Sequence, residues 1–140
     1  MHNASKVLLG TNRQGFKKVT NKKGAIAAGL AVRQKSDETI STAKTDGELL
    51  GISFGADLSK AGRTNICRAG LQVPILLTEG FTPVLGTQVQ IDDVTGMAKA
   101  AGTGVTGVNA TYASGPLTAM KEDGTEVANG CALIDMVGGL

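Results

Sequence analysis

Residues Ile66–Ala101 read ICRAGLQVPILLTEGFTPVLGTQVQIDDVTGMAKAA. Cys67, Ala69, Leu71, Val73, Ile75 and Leu77 share one parity, with Arg68, Gly70, Gln72 and Pro74 between them. Leu85, Thr87, Val89 and Ile91 repeat the alternation against Gly86, Gln88, Gln90 and Asp92. Successive side chains on a strand point to opposite faces, so a period of two marks a half-buried antiparallel strand. Gly, Pro and Asp separate the runs and supply turns. The stretch predicts three strands, and nothing in it has the parts of a reaction centre.

The same pattern extends outward. Gly29–Lys35 and Thr39–Lys44 read as short strands around the turn Ser36-Asp37-Glu38. In Leu49–Asp57, Leu50, Ile52, Phe54 and Ala56 face one way. Asp57 is placed to cap a single helical turn that ends at Gly62. Val105–Ala113 is a further strand, Lys121–Gly124 a turn, and CALIDMVGGL a closing apolar strand. About eight short strands with frequent turn signals predict an all-β sandwich or barrel with at most one short helical turn. An internal echo accompanies them. Gly29, Val32, Ile40 and Ala43 lie 57 positions before Gly86, Val89, Met97 and Ala100, which suggests two similar β units.

With 140 residues, the chain suits one domain with one core. There is one Tyr, three Phe and no Trp, so Val, Ile, Leu and Ala must fill that core. No apolar run approaches membrane-spanning length, and the first residues lack the apolar centre of a signal peptide. The expectation is a protein made in a cytoplasm. Cys67 and Cys131 sit in separate apolar runs with no C-x-x-C pair, which favours buried thiols over a metal site.

Charge divides the chain. Residues 1–24 carry Lys6, Arg13, Lys17, Lys18, Lys22 and Lys23 with no acid, a charge of +6, whereas residues 25–140 sum to −4. A basic N-terminal arm over 1–24 followed by a β domain over 25–140 is therefore expected. The arm is either a solvated terminus or a segment that docks on an acidic surface. For docking, Arg13, Lys17, Lys18, Lys22 and Lys23 would supply charge, and Phe16 and Val19 apolar anchors. Removing residues 1–23 is then expected to leave the β domain folded.

Each enzyme class lacks parts. The sole His is His2, so a nucleophile has no credible base. Asp37-Glu38, Asp92-Asp93 and Glu122-Asp123 fall in predicted turns, where local hydrogen bonding explains them better than acid–base work or cation binding. Gly102–Gly107 matches G-x-G-x-x-G, but a strand-like segment follows where a dinucleotide site needs a helix. No catalytic, cofactor or metal residue is assigned. A nucleic-acid-binding barrel could use the basic arm, although base-stacking aromatics are too few. A trimeric nucleotide hydrolase would need an Arg-Ser pair and a Tyr-bearing Gly loop near a catalytic Asp, and the chain has neither.

The order AIAAGLAV, ELLGISFGAD, GLQVPILLTEGFTPVLGTQVQIDDVTGMAKA, GVNATYASG and CALIDMVGGL resembles capsid cement proteins of tailed bacteriophages, also called head decoration proteins. The likeness runs from about Ala25 to Leu140. It implies a compact barrel-like or tulip-like β domain on the outer surface of the virion head. It further implies homotrimers, with dimers as the alternative, that bind the major capsid protein and bridge adjacent capsomers. Neither a membrane nor a specific nucleic acid is an implied partner. A tail or baseplate module is the nearest structural alternative.

Overall fold

The computed structural model describes residues 6–10 and 17–140. Its strands are β1 (Lys6–Leu8), β2 (Lys17–Lys23), β3 (Ala31–Gln34), β4 (Ile40–Ser41), β5 (Leu49–Ala56), β6 (Arg63–Leu76), β7 (Gln88–Asp92), β8 (Val105–Met120) and β9 (Glu126–Met136). They form one sheet in the order β1-β8-β9-β6-β5-β3-β4, with β2 added to β6 and β7 to β8. Among the described residues the helical content is one 3-10 turn, Lys44–Asp46. The fold is all-β and sandwich-like. After Asp57 the chain makes a hydrogen-bonded turn instead of the expected helical one: Asp57 Oδ1 accepts the Ser59 amide at 2.9 Å.

Curling of the sheet buries three clusters. The largest joins Ile52, Phe54, Cys67, Val73, Ile75, Val89, Ile91, Tyr112 and Ile134. A second holds Val7, Leu9, Leu76, Cys131 and Leu133, and a third Val32, Ile40 and Ile66. Strand β6 contributes to all three. Its parity is not the unbroken one of the sequence. Cys67 and Ala69 are buried, Leu71 is 41% exposed, and Val73 and Ile75 are buried again. A bulge between Gly70 and Val73 explains the change: Gln72 adopts φ +53° and its amide donates to Asp135 Oδ1 at 2.9 Å. Leu50 departs for the same reason. Val32 pairs with Gly51 and Arg33 with Leu49, so Leu50 is the extra residue and packs on the third cluster rather than beside Ile52. Leu85 is 53% exposed because it precedes β7 in a turn.

Strands β8 and β9 run longer than their expected counterparts. The chain crosses Ser114–Leu117 through bulges instead of stopping there, and β9 begins at Glu126 instead of Cys131.

The 57-residue echo has matching backbone bonds. Gly29 N donates to Ser53 O and Ser53 N to Leu30 O; likewise Gly86 N donates to Tyr112 O and Tyr112 N to Thr87 O. The first hairpin closes by Lys35 N to Thr39 O and the second, one residue longer, by Asp92 N to Met97 O. Both Gly29 and Gly86 have positive φ, at +90° and +83°. Residues 29–56 and 86–113 thus share a bonding pattern, with an offset that grows from 57 at Gly29 to 59 at Ser53.

The described part of residues 1–24 pairs with the body. Strand β1 lies parallel to β8, with Val7 opposite Ala119, and β2 runs antiparallel to β6. A segment with few apolar side chains is ordered here by borrowing partners from the sheet. Val7 and Leu9 are 2% and 6% exposed within the second cluster, so truncating the first 23 residues removes core. Leu9→Ala is predicted to cost about 2–4 kcal/mol, as for other buried leucines, read from urea unfolding. A change below about 0.5 kcal/mol would show that β1 adds little.

Candidate binding surfaces

Of the proposed contact residues, Arg13 and Phe16 lie outside the described residues. The other five fall on β2. By register, Lys17 is opposite Gly70, Lys18 opposite Ala69, Val19 opposite Cys67, Lys22 opposite Thr64 and Lys23 opposite Arg63. Val19 is 46% exposed and Lys23 is exposed. The Lys22 ammonium donates to the Asp37 carbonyl at 2.6 Å, and Lys23 N donates to Glu38 O at 2.8 Å. Arg63 adds a cation beside them. Its Nε donates to Asn21 Oδ1, and its Nη2 lies 3.5 Å from the Glu38 carboxylate. A basic strand on β6, exposed at Val19 and Lys23, is the surface these residues make. Lysines on such a strand also discourage unwanted edge pairing.

Two of the acidic pairs serve turns through a carboxylate. Asp92 Oδ1 accepts the amides of Val94 at 2.9 Å and Thr95 at 2.8 Å, and Asp123 Oδ1 accepts the Thr125 amide at 2.9 Å. In the third turn Ser36 takes that part, accepting the Thr39 amide at 3.3 Å. Among the described residues no three His, Cys, Asp or Glu side chains come together as metal ligands. Cys67 and Cys131 are buried in different clusters. After Gly102–Gly104 the chain enters β8, so no helix follows the glycine string.

The Thr95 amide is the main reason why the Asp92 carboxyl lies below its ordinary value; burial opposes the shift, and the Val94 amide and Lys99 assist it. Its contribution to stability is therefore present above the ordinary carboxylate range and is lost as pH falls through the lowered value. The urea midpoint of the wild type should fall between about pH 5 and about pH 2. Asp92→Asn should be less stable at neutral pH and show a shallower fall. An unchanged slope would remove Asp92 from that role.

The turn that Asp92 organises is seated on the first unit. Ala31 N donates to Gly96 O at 2.8 Å, Thr42 Oγ1 to Val94 O at 2.8 Å, and Lys44 N to Asp93 O at 2.7 Å. The Asp93 carboxylate lies 3.9 Å from both the buried Arg33 guanidinium and Lys44 Nζ, and it accepts the Thr106 hydroxyl at 2.6 Å. Burial disfavours the Arg33 charge and Asp93 opposes that effect. Gly96 makes the approach possible. At φ +78°, a Cβ there would stand 2.6 Å from Ala31 O. Gly96→Ala is predicted to destabilise the fold by more than about 1 kcal/mol in urea titration, through strain and loss of the seat. A neutral result would show that the seat is loose.

A groove of about 410 Å³ occupies the second unit, lined among others by Phe81, Gln88, Gln90, Lys99, Ala101 and Tyr112. Phe81 and Tyr112 pack as a tilted pair with centroids 6.1 Å apart. The exposed apolar side chains are led by Leu58 at 100%, Val94 at 70% and Val84 at 67%. The sequence signalled the basic strand through its lysines, but neither the seat nor the groove, because both depend on how the two units meet.

No family model matches the chain, and no curated protein matches it. Its fold does match a solved structure. A chain in the structure described as "The capsid of Myoviridae Phage XM1" superposes with a TM-score of 0.71 over 100% of this chain and 99% of that one, at 13% identity. The likeness spans both chains end to end, so the whole β fold, including the described part of residues 1–24, has a counterpart in a phage-capsid structure.

Proposed function

We propose that this chain is a non-enzymatic structural component of a tailed-phage head, a cement or decoration protein that binds the outer surface of the assembled shell and bridges adjacent capsomers. The observation that carries the proposal is the end-to-end fold match to a chain of a phage capsid structure. The cement-like order of sequence pieces over 25–140 supports the finer assignment. So does the character of the surface, where turn carboxylates are used locally and a basic strand faces outward.

Packaged DNA pushes outward on a head, and capsomers fail by parting at their edges. A subunit touching two capsomers raises the free energy of parting without chemistry, and many such contacts add through high effective concentration. In this proposal β2 is the contact strand. Val19 provides an apolar contact and Lys22 and Lys23 the charge; Arg13, Phe16, Lys17 and Lys18 complete the set. The partner surface is acidic, and the major capsid protein is the candidate.

The test is cosedimentation with expanded heads at physiological salt. Wild type should saturate the heads, and Lys22→Glu with Lys23→Glu should weaken binding on the order of tenfold while leaving circular dichroism unchanged. Absence of wild-type binding would contradict the proposal, and unchanged occupancy by the double variant would acquit the lysines.

A further inference from the structure

Asn21 ties the basic strand to the turn that follows β5. On β2, Val19, Asn21 and Lys23 share one face, because alternate residues of a strand point the same way. The Asn21 amide nitrogen donates to Asp57 Oδ2 at 2.8 Å and to Asn65 Oδ1 at 2.9 Å, and its oxygen accepts Arg63 Nε. The other oxygen of Asp57, Oδ1, accepts the Ser59 amide at 2.9 Å and the Ser59 hydroxyl at 2.7 Å. Asp57 N donates to Arg63 O at 2.9 Å, and Lys60 N to Asp57 O at 3.2 Å. The Asp57–Lys60 turn and the Val19–Lys23 face of β2 are thus parts of one hydrogen-bonded surface.

Leu58 stands in that turn, 100% exposed. A lone exposed leucine is ordinary on a protein surface. This one differs because a rigid polar network presents it, together with Val19, 46% exposed, and the exposed Lys23 and Lys60. A fixed turn loses little entropy when it docks. Glu38, on the same network, is paired with Arg63 at 3.5 Å. Lys22 faces the other way, and its ammonium is engaged by the Asp37 carbonyl at 2.6 Å. What remains outward is an apolar tip and two lysines. A phosphate backbone would take the lysines and leave Leu58 in water. A bilayer surface would call for more large apolar side chains than one leucine and one valine. The complement is a protein surface, an apolar pocket rimmed by carboxylates.

We propose that Leu58 is the apolar anchor of the shell contact, entering an acid-rimmed apolar pocket of the capsid protein, and that Asn21 is the positioning residue that holds it beside Val19 and Lys23. The inference rests on the reading that β2 faces the shell, and it adds to that contact a second segment distant in sequence. It also divides the lysines, since Lys23 lies on the contact face and Lys22 does not.

Affinity for expanded heads, read by cosedimentation, tests this, with urea unfolding as the check on folding. Leu58→Ser should weaken head binding on the order of tenfold or more, as for loss of a central anchor. Its urea midpoint should match the wild type, because the side chain is fully exposed in its own chain. Leu58→Met should bind as the wild type does, and so should Val84→Ser, which removes an exposed valine outside the network. Lys23→Glu should weaken binding more than Lys22→Glu. In an Asn21→Ala background the effect of Leu58→Ser should shrink to roughly threefold or less, because the two residues act together. Wild type that binds while Leu58→Ser binds equally well overturns the inference and leaves the cement reading standing; wild type that fails to bind heads overturns both. An undiminished Leu58→Ser effect in the Asn21→Ala background overturns the role of Asn21, and a Lys22→Glu effect as large as that of Lys23→Glu overturns the assignment of the face. Equal loss with Val84→Ser, or loss of self-association in place of head binding, overturns the anchor.

Discussion

Strand β6 is the constraint on which the structure depends. Its fourteen residues supply Cys67, Val73 and Ile75 to the first cluster, Leu76 to the second and Ile66 to the third. One face gives Cys67, Val73 and Ile75 to the first cluster, and the other meets the third cluster at Ile66 and the second at Leu76. The bulge at Leu71–Gln72 lies between the two ends and turns Leu71 outward. Before the bulge β6 pairs with β2 and β5; from Gly70 onward it pairs with β9. The two β units are thereby fastened to one backbone, and β2 is held against the domain.

This arrangement suits the proposed role, in which the body acts through its surface. Asp92 and Asp123 each accept a turn amide. Hydrogen-bonded turns are rigid, so the loops they make are pre-formed contact surfaces that lose little entropy on binding. The seat of Asp92–Gly96 shows the fold using such a turn within itself. The proposed role on a phage head uses surfaces of the same kind between molecules.

Much of this is legible in the sequence. Alternation over Cys67–Leu77 and Val89–Ile91 identified the central strands, and Asp and Gly marked the turns after Asp57, Asp92 and Lys121. The echo from Gly29 to Gly86 located two strands that enter similar hairpins, the second one residue longer. The bulges at Leu50 and Leu71–Gln72 were not legible, because an extra residue leaves no mark in composition and shows only when a partner strand fixes the register. The place of the described part of residues 1–24 was hidden for another reason. Their lysines dominate the composition, whereas Val7 and Leu9, which bury the segment, are only two side chains. Arg33 gave no sign of being buried, since its partner Asp93 lies sixty residues away.

Release of DNA from heated heads assembled with and without the protein bears most directly on the cement role. If the chain clamps capsomers from outside, heads carrying it should keep their DNA to a higher temperature, and adding purified protein to bare heads should restore that temperature. Identical release temperatures with full occupancy would contradict the role, leaving a bound subunit that holds nothing together.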